Sequence, residues 1–104
     1  MSRIKIKSEY KDLDKYKYIV GDILYYKKNT RLIHNPYGPA VVSKDGYKAY
    51  WINNKRHRLD GPALIRSNGS EEYYIYGKEL TKEEFEIHPD RLKFLGKEYL
   101  ICLK

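Results

Sequence analysis

A chain of 104 residues has room for one domain with a modest core, burying about 60–65% of the surface its unfolded form exposes. Its 21 Lys/Arg against 14 Asp/Glu give a net charge of +7, and the lone Cys102 excludes a disulfide framework or a cysteine-based metal site within one chain. Residues 1–7 are basic but no apolar segment follows, and no run approaches the ~18 apolar residues of a membrane span, so a reducing, cytoplasmic setting is the expectation. The charge is uneven: residues 1–35 carry nine Lys/Arg against four Asp/Glu, residues 36–70 six against two, and residues 71–104 six against eight. A basic N-terminal two-thirds suits a phosphate, nucleic-acid or acidic-protein partner. Tyr supplies 12 residues and Phe only 2, a composition suited to thin layers whose rings are covered while their hydroxyls stay wet.

Residues 2–10 alternate weakly, with Ile4 and Ile6 against Lys5 and Lys7, and read as an edge strand guarded by its lysines. Residues 11–15 form a charged connection. Residues 16–20 and 23–27 are β-rich runs separated by Gly21-Asp22, which predicts a two-residue turn of type I′ or II′. Residues 28–37 make a polar loop, from which Pro36 and Pro39 exclude helix.

A repeat then begins. Gly38-Pro39-Ala40 recurs 23 residues later as Gly61-Pro62-Ala63, and the same offset carries His34 onto His57, Asp45-Gly46 onto Asn68-Gly69, Tyr50-Trp51 onto Tyr73-Tyr74, Ile52 onto Ile75 and Lys55 onto Lys78. Asp-Gly and Asn-Gly between β-rich runs predict type I′ hairpins. Period two puts Tyr47, Ala49 and Trp51 on one side, with Glu72, Tyr74 and Tyr76 after them, and Tyr50, Ile52, Tyr73 and Ile75 on the other. Such short hairpins cannot bury a face alone, so the units must extend a common sheet.

Thr81-Lys82-Glu83-Glu84 is a capping box that opens a short helix near residues 82–87, closed by Pro89. Residues 91–95 and 98–103 flank Gly96-Lys97 as a final capping hairpin. The fold class expected is therefore mainly all-β: a single-domain antiparallel meander of about eight strands, with N-terminal strands and hairpin over 1–33, two repeats over 34–80, and a helix and cap over 81–104.

A 23-residue unit with Gly at its head, Asp/Asn-Gly after the Pro, an aromatic pair, then Gly-Lys and a His resembles the MORN repeat. The form His57-Arg58-x-x-Gly61-Pro62-Ala63 resembles more closely the MORN-like variants of bacteriophage and giant-virus proteins, with Gly-Pro-Ala standing where MORN units usually read Gly-x-Gly. The likeness covers residues 34–85. It implies a twisted β-meander serving as an interaction or scaffolding module, sometimes at phospholipid surfaces, and implies no chemistry.

Arg56, His57 and Arg58 beside Asp60 form the most cationic cluster, suited to a phosphate or an acidic partner. His57 shares a repeat position with His34, which points to imidazoles satisfying loop carbonyls and leaves Arg56 and Arg58 exposed and available. Trp51 reads as core with Tyr74 and Ala49, and on the opposite face either Tyr50 or Tyr73 is the aromatic left to face a partner. His34, His57 and His88 are too far apart in sequence to suggest zinc. Ser43, Ser67 and Ser70 border turns, and no Gly-x-Ser-x-Gly or phosphate-loop signature occurs, so neither catalysis nor a cofactor is expected. The expected function is a small non-enzymatic protein-binding module, engaging or inhibiting a host protein if the viral resemblance holds. The alternative is nucleic-acid or nucleotide binding through Lys48, Lys55, Arg56, Arg58 and Arg66 with Tyr50 and Tyr73. An anionic membrane surface is disfavoured, since no amphipathic helix or lipidation signal accompanies the basic patch. An open sheet edge at residues 2–10 or 98–103 offers a route to a homodimer.

Overall fold

Among the described residues ten short strands pair antiparallel: β1 Arg3–Ile6, β2 Leu13–Tyr18, β3 Ile23–Lys27, β4 Val41–Val42, β5 Lys48–Ala49, β6 Trp51–Ile52, β7 Lys55–Arg56, β8 Leu64–Ile65, β9 Glu71–Ile75 and β10 Lys78–Leu80. The structure, a computed structural model, describes residues 2–97. Eight strands form one sheet in the order β1-β2-β3-β4-β5-β8-β9-β10, while β6 and β7 pair as a separate hairpin. The expected mainly-β meander is what the chain adopts. Extents of 51 × 31 × 19 Å leave little depth beyond one sheet and its side chains.

The hairpin turns differ from expectation. Gly21, Gly46 and Gly69 have φ of +97°, +100° and +89°, but Asp45 and Asn68 do not have positive φ. Gly46 N–H donates to the Ser43 carbonyl (3.2 Å) and Ser43 N–H to the Tyr47 carbonyl (2.9 Å), so the loop holds three residues and ends on the left-handed glycine. Arg66, Gly69 and Ser70 repeat that pattern, as do Tyr18, Gly21 and Asp22. The Asp45 and Asn68 carboxyl or amide oxygens accept the N–H groups of Tyr47 (3.2 Å) and Ser70 (3.0 Å). That local bond favours ordinary right-handed backbone at the Asp or Asn and leaves positive φ to Gly alone. The two-residue turns with positive φ at both positions lie elsewhere, at Asn53-Asn54 (46° and 68°) and Tyr76-Gly77 (48° and 84°).

Three units are present, where the sequence offset reveals two. Tyr25 N–H donates to the Ala40 carbonyl (2.8 Å), and Tyr50 N–H donates likewise to Ala63 (2.7 Å). Ala40 N–H in turn reaches the Ala49 carbonyl (2.9 Å), and Ala63 N–H reaches Glu72 (2.9 Å). Each Gly-Pro-Ala alanine therefore joins two units through both of its backbone groups, and both alanines are fully buried. Gly21…Tyr25-Tyr26 stands in register with Gly46…Tyr50-Trp51 and Gly69…Tyr73-Tyr74. In this first unit Lys27 N–H closes on the Leu32 carbonyl (2.9 Å), around a loop longer than Asn53-Asn54, which displaces the period by two residues.

The sequence 11–15 belongs partly to β2, because Leu13 and Asp14 are buried there rather than in a connection. Helix α1 spans Lys82–Glu86 with the complete Thr81/Glu84 capping box. The segment expected as a strand from residue 91 is instead helix α2, Pro89–Phe94. Pro89 opens it at a position where a missing N–H costs nothing, and the His88 ring accepts from Asp90 N–H (3.1 Å) as N-cap. Gly96 (φ +73°) closes it, with Lys97 N–H on the Leu92 carbonyl (2.7 Å) and Gly96 N–H on Lys93 (3.0 Å). The expected partner strand at 98–103 lies outside the described residues. The core runs through Leu13, Leu24, Tyr25, Ala49, Leu64 and Ile75 to Phe85 and Leu92 under the helices.

Candidate interaction face

Register assigns the faces. Tyr16 opposes Leu24, Leu24 opposes Val41, Val41 opposes Ala49, Ala49 opposes Leu64 and Leu64 opposes Glu72, so these share one side of the sheet. Alternation puts Arg3, Tyr26 and Tyr74 with them, and Trp51 opposes Arg56 in the β6–β7 hairpin. Tyr26, Trp51 and Tyr74 occupy one position in the three units, and all are half-buried.

Two guanidinium groups lie among these rings. Arg3 Cζ is 4.2 Å from the Tyr16 ring centre and 5.2 Å from that of Tyr26, and its Nη1 donates to the Tyr26 hydroxyl (2.8 Å). Arg56 Cζ is 5.3 Å from both the Trp51 and the Tyr74 rings, and its Nη1 donates to the Tyr74 hydroxyl (3.2 Å). The Tyr74 hydroxyl donates onward to Glu72 (3.1 Å), which also takes Arg66 Nη2 at 2.7 Å. Arg66 holds the Glu72 carboxyl below its ordinary range, and burial raises the Tyr74 hydroxyl. Stacked arginines between aromatics are held in plane while keeping their charge.

The opposite face is also engaged, around a cleft of about 560 Å³ lined in part by Tyr37, Tyr50, Ile52 and Arg58. The Tyr25 hydroxyl donates to Glu9 (2.9 Å) beneath Tyr10, which stacks on Tyr37 at 4.6 Å. Tyr50 lies under Arg58, whose Cζ is 4.0 Å from its ring, and Tyr73 meets the Phe85 ring at 4.7 Å. The two tyrosines that were candidates to face a partner thus have intramolecular partners and are half-buried, as Trp51 and Tyr74 are.

The seven candidate residues are divided between the two faces. Arg56 and Arg66 lie on the Trp51 side, the latter paired with Glu72. Lys48, exposed, lies opposite Val42 and Ile65 on the other side with Tyr50 and Tyr73. Lys55 is exposed at the β6–β7 turn. Arg58 is not a free cation: it donates to Asp60 (2.8 Å) and to the Pro62 carbonyl (3.1 Å), the same clamp that Asn35 makes on the Pro39 carbonyl (3.1 Å) one unit earlier. Its task is to close the Gly-Pro-Ala loop.

His34 and His57 are also structural, with a correction. Each Nδ1 accepts a backbone N–H, from Asn53 and Tyr76 respectively, at 2.9 Å, rather than serving a carbonyl. Burial lowers both imidazole pKa values from the ordinary 6.5, as an accepting nitrogen requires. His57 further stacks on Tyr76 at 3.9 Å. Arg3 and Tyr26 were not singled out from sequence; the signal that finds them is the Gly-x-x-x-Tyr-Tyr spelling of the first unit, concealed by the displaced period.

Among the described residues no helix is long and apolar enough to cross a membrane. Comparison with protein-family models, curated proteins and solved structures finds no match to this chain.

Proposed function

We propose that this chain is a small non-enzymatic module that binds another protein through its Tyr26/Trp51/Tyr74 face. The observation that carries the reading is the half-buried row of Tyr26, Trp51 and Tyr74, with Arg3 over Tyr16 and Tyr26 and Arg56 between Trp51 and Tyr74. Tyr, Trp and Arg are the residues that dominate protein-interface energetics, since they offer large rigid contact area with a polar handle. The likeness of residues 34–85 to phage and giant-virus repeats supports a host protein as the partner and the host cytoplasm as the place of encounter. Strand β1, at one edge of the sheet with Ile4 65% exposed, is the surface through which a second copy would pair.

The test is affinity capture by the tagged chain from host lysate, with and without nuclease. A stoichiometric protein that survives nuclease and is lost on Trp51→Ala supports the module. A second reading, nucleic-acid binding, draws on the net charge of +7 and the same rings. It requires affinity that falls steeply with salt, because each phosphate contact releases counterions; a flat salt response removes it.

A further inference from the structure

The two-residue turns at Asn53-Asn54 and Tyr76-Gly77 bound a shallow cleft of about 430 Å³ lined by Trp51, Lys55, Arg56, Tyr74, Tyr76 and Gly77. We propose that this cleft takes the carboxylate of an Asp or Glu side chain from an extended partner segment, with Arg56 as its anchor. The inference rests on the protein-binding reading and names the chemistry of the partner.

Arg56 carries the case. Its Nε is buried without a partner and its Nη1 is spent on the Tyr74 hydroxyl. The rings of Trp51 and Tyr74 fix its plane, so a ligand that meets the remaining edge finds an oriented donor. Among the described residues no carboxylate lies within ion-pair distance of Arg56, whereas Arg58 and Arg66 each have one, Asp60 and Glu72. The link from Arg56 to an acid is indirect, through the Tyr74 hydroxyl to Glu72, so a carboxylate that reaches the guanidinium directly is favoured. Lys55, exposed on the rim beside Gly77, adds a second positive charge.

The surroundings favour a single carboxylate over a phosphate backbone. Glu72 and Glu79 act electrostatically on Tyr74, one of the residues lining the cleft, though neither carboxylate lines it. A chain of phosphates brings several negative charges toward those two carboxylates, where a single carboxylate brings one. One carboxylate flanked by apolar groups instead places its charge at Arg56 and its neighbours on the Trp51 and Tyr76 rings.

Trp51 is the only tryptophan, so its indole N–H gives one resonance, located in the cleft wall. The isotopically labelled full chain is titrated with tetraglutamate, with tetraglutamine as the neutral control and oligothymidylate as the phosphate probe. The expected result is a saturable shift of the indole resonance with tetraglutamate and none with tetraglutamine. In Arg56→Gln the apparent Kd rises at least tenfold while the rest of the spectrum keeps its dispersion. Should Arg56→Gln not fold, Arg56→Lys retains charge without the planar fork and is expected to weaken binding, and Lys55→Glu weakens it from an exposed site. No saturable shift with tetraglutamate, an unchanged Kd in the Arg56 variants, or tighter binding of oligothymidylate each overturns the proposal. A nuclease-resistant partner whose capture is indifferent to Arg56→Gln would leave the module standing and remove only the anchor. Absence of any captured protein would remove the module, with the tetraglutamate titration still deciding the chemistry of the cleft.

Discussion

His34 and His57 hold their hairpins through a lone pair, and that couples the fold to acid. Each ring must be neutral at Nδ1 to accept the Asn53 or Tyr76 N–H. Their folded pKa values lie below 6.5, so between those values and 6.5 the unfolded chain binds more protons than the folded one. The stability they contribute is complete above 6.5 and is lost as pH falls through the depressed folded values. Melting temperature measured from pH 7.5 to 5 is expected to fall in the parent. In the His34→Gln/His57→Gln double variant, whose amide oxygens accept without titrating, that slope flattens; a slope unchanged would show that these rings do not set it. Arg58→Ala is expected to lower stability by about 1 kcal/mol, since the Pro62 carbonyl and Asp60 lose a partly exposed charged donor. Chemical denaturation checks this, and Lys48→Ala, with an exposed side chain in β5, is the neutral comparison.

At the scale of the element, the three-residue hairpin loops turn on one left-handed glycine each. A Cβ at Gly46 or Gly69 meets nothing within 4 Å, so Gly46→Ala or Gly69→Ala tests backbone strain alone. Each is expected to cost about 1–2 kcal/mol in denaturant unfolding. A cost near zero would mean the loop can relax into another turn. Helix α1, only five residues long, depends on its cap more than on propensity. Thr81→Ala is expected to remove about 1 kcal/mol and to loosen Phe85 from Tyr73, read from the aromatic resonances of the pair.

For the molecule as a whole, the sheet is thin and its few fully covered side chains bear much of its stability. Leu64, 0% exposed, sits opposite both Ala49 and Glu72 and therefore touches two units. Leu64→Ala is expected to cost about 2–5 kcal/mol, more than any surface change above, and to unfold the chain cooperatively rather than one repeat at a time. Two separated transitions in calorimetry would show that the units fold independently.

The meander, the 23-residue unit, the capping box and the edge lysines were legible from the residues, because glycine, alternation and caps act over a few neighbours. What sequence could not reach depended on distance along the chain or on competition between local motifs. The first repeat was hidden by a loop longer by two residues, which shifts an offset but leaves the Tyr25–Ala40 pairing intact. The final helix turned on His88, Pro89 and Gly96 acting together against a β-like reading of residues 91–95. In two of the three-residue hairpin loops an Asp or Asn side chain reaches its own backbone, and the third forms with Val20 in that place. Of the residues on the Trp51 side, sequence picked out Arg56 and Arg66 as candidates, read Trp51 and Tyr74 as core, and passed over Arg3 and Tyr26. Only tertiary structure decided that Tyr50 and Tyr73 meet Arg58 and Phe85, that Arg58 closes a loop, and that Arg56 stands between Trp51 and Tyr74 with no carboxylate in ion-pair distance. Which neighbours a side chain meets is fixed by how turns and strands fold back on one another, not by residue type.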